Sequence, residues 1–150
     1  MNLNQPGHIL LIEDDENDIL LMERAFLKAK LNTNINIIRD GDAAVEYLDR
    51  CIVENQADGN SLPWLILLDL KLPRRSGLEV LAWIRQHHQL KVIPIVVLTA
   101  SSESKDIQRA YELHVNSYLI KPINFKDLVQ MAELIKSYWF EVNTPPILKT

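Results

Sequence analysis

Apolar residues along this chain follow two rhythms that replace one another. Continuous apolar runs occur at His8-Ile9-Leu10-Leu11-Ile12, at Trp64-Leu65-Ile66-Leu67-Leu68, and at Val92-Ile93-Pro94-Ile95-Val96-Val97-Leu98-Thr99. Runs of this length without alternation suit strands buried on both faces. Ile35, Ile37 and Ile38 make a briefer strand, and Ser117-Tyr118-Leu119-Ile120 a fifth. Between the strands the spacing turns helical. Ile19, Met22, Phe26 and Ala29 draw one stripe, Ala44, Leu48 and Ile52 a second, and Val80, Leu81 and Ile84 a third. Ile107, Ala110 and Tyr111 make the fourth, and Leu128, Met131, Ile135 and Tyr138 the fifth. Five strands alternating with five helices predict an α/β fold, a parallel sheet covered on both faces by right-handed crossovers.

Polar punctuation sets the expected boundaries. Asp40-Gly41 closes the second strand, and Asp42 is a cap for the following helix. The polar stretch from Glu54 to Pro63, with Gly59-Asn60-Ser61 inside it, reads as a loop longer than such domains usually need. Pro94 falls near the start of its strand, where a missing donor is tolerated. Ser101, Ser102 and Ser104 offer capping oxygens to the fourth helix, and Asn124 with Asp127 resembles a capping box. Pro145-Pro146 ends any helix. No repeat, low-complexity tract or second apolar core is present, so the expected layout is one domain over 1–140. A short tail over 141–150 follows, with no separate output domain.

Composition narrows the function. A hydrophobic content of 47% in 150 residues supports one sizeable core. The net charge is -4 and Arg74-Arg75 is the only adjacent basic pair, which argues against a nucleic-acid partner. Cys51 is the only cysteine, so no intrachain disulfide can form, as fits a reducing compartment. No basic segment leads into an apolar leader, and no run approaches the roughly 20 residues of a spanning helix. A soluble cytoplasmic protein is expected. The histidines (His8, His87, His88, His114) form no metal pattern with the carboxylates and read as surface or loop residues.

The candidate chemistry lies where the strands end. Parallel strands bring their C-terminal ends to one edge, where open α/β folds keep their sites. The residues arriving there are Glu13 and Asp14, Asp69, Thr99 and Lys121. Three crowded carboxylates repel one another unless a cation joins them, and an oxygen-only ligand set suits Mg²⁺ or Mn²⁺. A carboxylate nucleophile that forms an acyl phosphate is known chemistry for aspartate. Lys121 would bring a mobile point charge to one phosphate oxygen, and Thr99 a hydroxyl to another. Each residue alone has a plainer reading: Asp69 as a turn cap, the Glu13-Asp14-Asp15 run as acids at a helix start, Lys121 as a surface lysine. Their joint placement favours a phosphoryl acceptor. Asp15 is read as the helix-start acid.

With these residues in hand, the chain resembles the receiver domain of two-component response regulators from about Gly7 to Tyr138. The resemblance rests on Glu13-Asp14, on Asp69 with Leu72-Pro73 and Gly77 at family spacing, on Thr99-Ala100 and on Lys121-Pro122. It implies a flavodoxin-like doubly wound sheet of order 2-1-3-4-5 with five helices. It implies phosphorylation of Asp69 by a sensor histidine kinase, with Glu13, Asp14, Asp69 and the Lys71 backbone carbonyl holding the metal. Ala100 leaves room beside the phosphate. Pro122 follows a cis peptide that turns Lys121 toward the acids. In the family an aromatic stands at Tyr118 whose inward or outward rotamer reports phosphorylation; an ordinary packing role is the equal alternative. Lys71 occupies a position where many receivers carry Asn.

A narrower resemblance is to the stand-alone regulators of cyanobacterial phytochromes. It rests on Asn17-Asp18, Asp40-Gly41-Asp42, the long stretch before Trp64, and the tail from Trp139-Phe140 to Pro146. It implies a protein that can form a homodimer and an unknown downstream protein target. Trp139 and Phe140 follow the last helical stripe and need a burial partner: folding back on their own domain is the plainer answer, and a dimer contact the favoured one. Two rivals are weighed. An aspartyl phosphohydrolase of the haloacid dehalogenase type needs a second Asp two residues beyond the nucleophile, and Lys71 stands there. A receiver-like module that is never phosphorylated would have lost acceptor, acids or lysine, and all are present. A dinucleotide site is disfavoured because Glu13-Asp14-Asp15 replaces the glycine-rich turn.

Overall fold

The computed structural model describes residues 7–58 and 62–147. Its elements are β1 (Ile9–Ile12), α1 (Glu16–Lys28), β2 (Ile35–Ile38), α2 (Gly41–Asp58), β3 (Leu65–Leu68) and α3 (Gly77–Gln86), followed by β4 (Ile95–Thr99), α4 (Ser104–Glu112), β5 (Ser117–Ile120) and α5 (Phe125–Ile135). The last helix runs on into a π-helical segment, Lys136–Val142. All strand pairs are parallel, in the order β2-β1-β3-β4-β5. The parallel sheet is what the sequence pattern predicts, and its strand order is the flavodoxin-like one that the receiver resemblance implies.

Why the apolar runs become central strands is visible in their burial. Every residue of β1, β3 and β4 is buried, whereas β2 and β5 are only half-buried, as befits the two edges. Successive residues then feed opposite layers. Leu10, Ile12, Ile66, Leu68, Ile95 and Val97 face the α2–α3 side, meeting Leu48, Val80, Leu81 and Ile84. Ile9, Leu11, Leu65, Leu67, Val96 and Leu98 face the α1–α5 side, meeting Met22, Phe26, Leu128, Ala132 and Ile135. The helical stripes supply those partners. Among the described residues no helix is long and apolar enough to cross a membrane.

Several boundaries differ from the sequence reading. α2 continues through Asp58, where a loop from Glu54 was expected; Gly59-Asn60-Ser61 lies outside the described residues. Its start is capped by Asp40, whose Oδ1 accepts from the Ala43 N–H at 2.7 Å, and not by Asp42, which pairs with Arg75. β4 begins only at Ile95, so Pro94 lies before the strand, although its carbonyl still accepts from the Ile66 N–H. Glu103 is the N-cap residue of α4 and makes no side-chain cap bond; of the three serines only Ser101 serves the helix start, its Oγ accepting from the Glu103 N–H at 3.3 Å, and Tyr111 on that helix is exposed. Asn124 does cap α5, accepting from the Asp127 N–H at 2.9 Å. His8 is half-buried, with its ring against Tyr47.

Trp139 and Phe140 turn back onto their own chain. Both pack against the α1–α5 core, and Phe140 stacks on Trp64 with ring centroids 6.2 Å apart and planes 11° from parallel. Folding back on the same domain, the plainer of the two sequence readings, thus supplies part of their burial, and both rings remain partly exposed.

Candidate functional site

The sheet register delivers the site residues. Ile12 pairs with Leu68, and Leu68 with Val97, so the next residues along β1 and β3 emerge side by side. Backbone bonds then pin the first positions beyond the strands: Glu13 N–H to Ile38 O, Asp69 N–H to Ile12 O, and Lys121 N–H to Thr99 O at 2.8 Å. Asp69 therefore has its main chain fixed by the strand beside it and its carboxylate at the edge. Behind it, the start of α3 presses close. A Cβ on Gly77 would lie 2.1 Å from the Asp69 carbonyl oxygen, so only glycine fits there. Ser76 caps that helix by accepting from the Glu79 N–H.

Glu13, Asp14 and Asp69 place a carboxylate oxygen each within 4.8 Å of one another. Glu13 is 1% exposed and Asp69 6%, while Asp14 is open to solvent. Lys121 reaches into this cluster. Its Nζ donates to Asp69 Oδ2 at 2.9 Å and to both Glu13 oxygens at 3.0 and 3.1 Å. Thr99 is buried beside Asp69, and its Oγ1 accepts from the Ser101 N–H at 3.4 Å. Ala100 is exposed at the rim, and the Lys71 N–H donates to Asp69 Oδ1 at 3.4 Å, its own side chain pointing to solvent.

Electrostatics separate the two buried acids. Burial pushes the Glu13 carboxyl up to about 8, helped by its hydrogen bond to Asp69 and the charge there, against the pull of Lys121. Burial acts on Asp69 in the same sense but loses. Hydrogen bonds from Glu13 and Lys121, the lysine charge and the Thr99 hydroxyl hold Asp69 below the ordinary aspartate value. Asp69 is thus an ionised, acceptor-only carboxylate at neutral pH. Burial would lower the Lys121 ammonium, yet its bonds to Asp18 and Asp69 and the nearby acids hold it above the usual lysine range. The site is an excess of carboxylate oxygens around one fixed cation, and such a donor set fits a hard divalent ion.

Sequence reasoning missed one member. Asp18 Oδ2 accepts from Lys121 Nζ at 2.8 Å, the shortest of the lysine's contacts. The signal was the helix start: Asp15 is the N-cap of α1 and accepts from the Asp18 N–H, which puts Asp18 in the first turn at the sheet edge that holds the acids. One expectation is corrected. The described residues contain no cis peptide, so Pro122 follows a trans bond. The trans form is the lower-energy one for X–Pro, and Lys121 meets the carboxylates without the turn.

Tyr118 is half-buried against the α2–α3 core, and its hydroxyl donates to the Ser101 carbonyl at 2.8 Å. Ser101 in turn donates from Oγ to Asp106 on α4 at 2.6 Å. The packing role and a link to the β4–α4 loop are therefore both present in one side chain.

Comparison with known proteins agrees with this geometry. Residues 9–133 match the response regulator receiver domain family. A probable methanogenesis regulatory protein, FilR2 of Methanothrix harundinacea, is 44% identical over 97% of this chain and 92% of its own length. Response regulator Rcp1 of Synechocystis is 43% identical over 95% of both chains. The crystal structure of the Mn²⁺-bound form of Rcp1 superposes with a TM-score of 0.82, covering 95% of this chain and all of that one. The phosphorylated cyanobacterial phytochrome response regulator RcpA, 39% identical, gives 0.84 over 95% of this chain and 99% of its own. The converging acids, the lysine across the sheet edge and these matches lead to one conclusion: the chain belongs to the response regulator receiver family.

Proposed function

We propose that this chain is a single-domain response regulator that accepts a phosphoryl group on Asp69 from a sensor histidine kinase of the phytochrome type. The observation that carries the reading is the meeting of Glu13, Asp14 and Asp69 within 4.8 Å, with Lys121 held on Asp69. The Rcp1 and RcpA likenesses support the kinase class and the metal. Glu13, Asp14, Asp69 and the Lys71 carbonyl would hold Mg²⁺ or Mn²⁺. When bound, the ion supplies charge neutralisation for the equatorial phosphoryl oxygens.

The chain's own groups do the rest. An oxygen of the ionised Asp69 forms the new P–O bond as the donor's P–N bond breaks, the electron pair leaving with the imidazole nitrogen. Lys121 and the Thr99 hydroxyl donate to phosphoryl oxygens, and the exposed Ala100 leaves the approach open. Hydrolysis of the acyl phosphate later resets the site. The chain assists only these two steps on itself, because Lys71 stands where a phosphohydrolase would carry its acid. Drawing Thr99 toward the phosphoryl group takes it from the Ser101 N–H, and Ser101 carries the Tyr118 and Asp106 bonds, so α4, β5 and α5 form the surface that changes. A near-complete switch needs on the order of 5.5 kcal/mol of differential stabilisation. The downstream partner is a protein, without nucleic acid or membrane, in the cytoplasm. A homodimer contact at the C-terminal end would use the exposed Tyr138 and the outer edges of Trp139 and Phe140.

The test is phosphotransfer from a phosphorylated phytochrome-type kinase, with label expected on wild type and none on Asp69→Asn. One surface residue sharpens it. Ile123, two residues beyond Lys121 in the chain, is a fully exposed apolar side chain. Ile123→Asp is expected to slow transfer from the kinase about tenfold or more, as loss of an apolar anchor does, and to leave labelling by acetyl phosphate unchanged. Equal slowing with both donors would place Ile123 in the chemistry and not in docking. Transfer from a histidine kinase with no light-sensing module but not from a phytochrome would overturn the phytochrome part of the reading and leave the acceptor part standing.

A further inference from the structure

The ammonium of Lys121 has three N–H donors on a flexible four-carbon stem. In this structure they meet three carboxylates, two of them the buried Glu13 and Asp69 and the third Asp18. Asp18 differs from the others in kind. It comes from α1 and not from a strand end, its side chain is 35% exposed, and it lies outside the three-carboxylate cluster. It is also well fixed. Its N–H is bound by the Asp15 cap at 2.8 Å, and the next residue, Ile19, is wholly buried. A phosphoryl group arriving at Asp69 draws Lys121 away from Glu13 and the free Asp69 oxygen. It has no claim on Asp18.

We infer that Asp18 is a positioning residue, a fixed anchor on α1 that keeps the Lys121 ammonium at the mouth of the site with its other donors aimed at the phosphoryl oxygens. The inference rests on Asp69 being the acceptor. Asp18 touches neither donor nor product; it acts through Lys121. By holding one N–H, it removes part of the freedom the lysine stem would otherwise lose when the phosphoryl group binds. A helix-start acid that merely complements the α1 dipole would leave the lysine indifferent to its removal.

Asp18→Asn, Asp18→Glu and wild type are compared in two experiments on the full chain. Saturation kinetics of Asp69 labelling by acetyl phosphate, at saturating Mg²⁺, give the rate constant and the KM separately. Asp18→Asn is expected to lower the rate constant about tenfold, the usual scale for losing a charge-assisted hydrogen bond, with little change in KM, and Asp18→Glu to restore most of it. In the metal-free protein, NMR relaxation of the Lys121 Cε should show the stem more mobile in Asp18→Asn and quiet again in Asp18→Glu. Unchanged kinetics with an unchanged lysine overturn the anchor. A faster rate in Asp18→Asn also overturns it, because Asp18 would then be competing for the lysine. If wild type itself takes no label, the acceptor reading has failed, and the relaxation data still decide whether Asp18 holds Lys121.

Discussion

Replacing Lys121 with Met is expected to lower the stability of the metal-free protein by on the order of 3 kcal/mol, the range for removing one partner of a buried ion pair. The reason is the burial of what it leaves behind. The lysine side chain is only 14% exposed, and the Glu13 and Asp69 side chains against it are 1% and 8% exposed. Without the ammonium, the ionised Asp69 is left buried against Glu13 with no cation beside it, and protonation of Glu13 relieves only part of that cost. Met keeps the stem's volume, so a loss of packing contributes little. The same deletion removes the positive charge that competes with a metal ion for these oxygens, so Mg²⁺ should raise the denaturation midpoint of Lys121→Met by more than that of wild type. Urea titrations with chelator and with excess Mg²⁺ check both parts. A variant as stable as wild type in chelator would mean that the cluster does not depend on its lysine.

The second large effect concerns a residue with no side chain. Gly77→Ala should destabilise the chain by about 3 kcal/mol, the upper end for overpacking against parts that cannot yield. Helix propensity points the other way, since alanine is favoured over glycine by about 1 kcal/mol inside a helix. The clash prevails because its partners are backbone: the added Cβ would lie 2.1 Å from the Asp69 carbonyl oxygen and 2.6 Å from the Leu70 Cα. Either α3 lifts away, losing the burial of Val80, Leu81 and Ile84, or the Asp69 main chain shifts out of line with Glu13. Chemical denaturation measures the first outcome, and weakened Mn²⁺ binding the second. Neither change occurring would show that the loop can give, contrary to its bonding of the Gly77 N–H to Leu70 O at 2.9 Å.

Much of this fold was legible because burial on both faces leaves a sequence no choice but an unbroken apolar run. Ile9–Ile12 and Leu65–Leu68 show it, and the acids that follow them are placed by the strand ends alone. The misreadings fall where two outcomes are close in energy. The stretch after Ile52 is polar, yet Glu54, Gln56 and Ala57 are good helix formers, and α2 keeps going with no apolar stripe to announce it. Asp40 and Asp42 are equally good caps by type, and which one serves depends on Asp42 pairing with Arg75 from another loop. Asp18 was missed for a related reason. Its role depends on Lys121, 103 residues away, and no local pattern records that meeting.

The central claim is that Asp69 is the chemical acceptor and that its neighbours exist to make it one. The direct measurement is incubation of the full chain with acetyl phosphate and Mg²⁺, then intact mass and peptide mapping of the modified residue. One phosphoryl group on Asp69, lost on adding chelator before the donor and absent from Asp69→Asn, is the predicted result. A label on any other residue, or one that survives Asp69→Asn, would contradict the account.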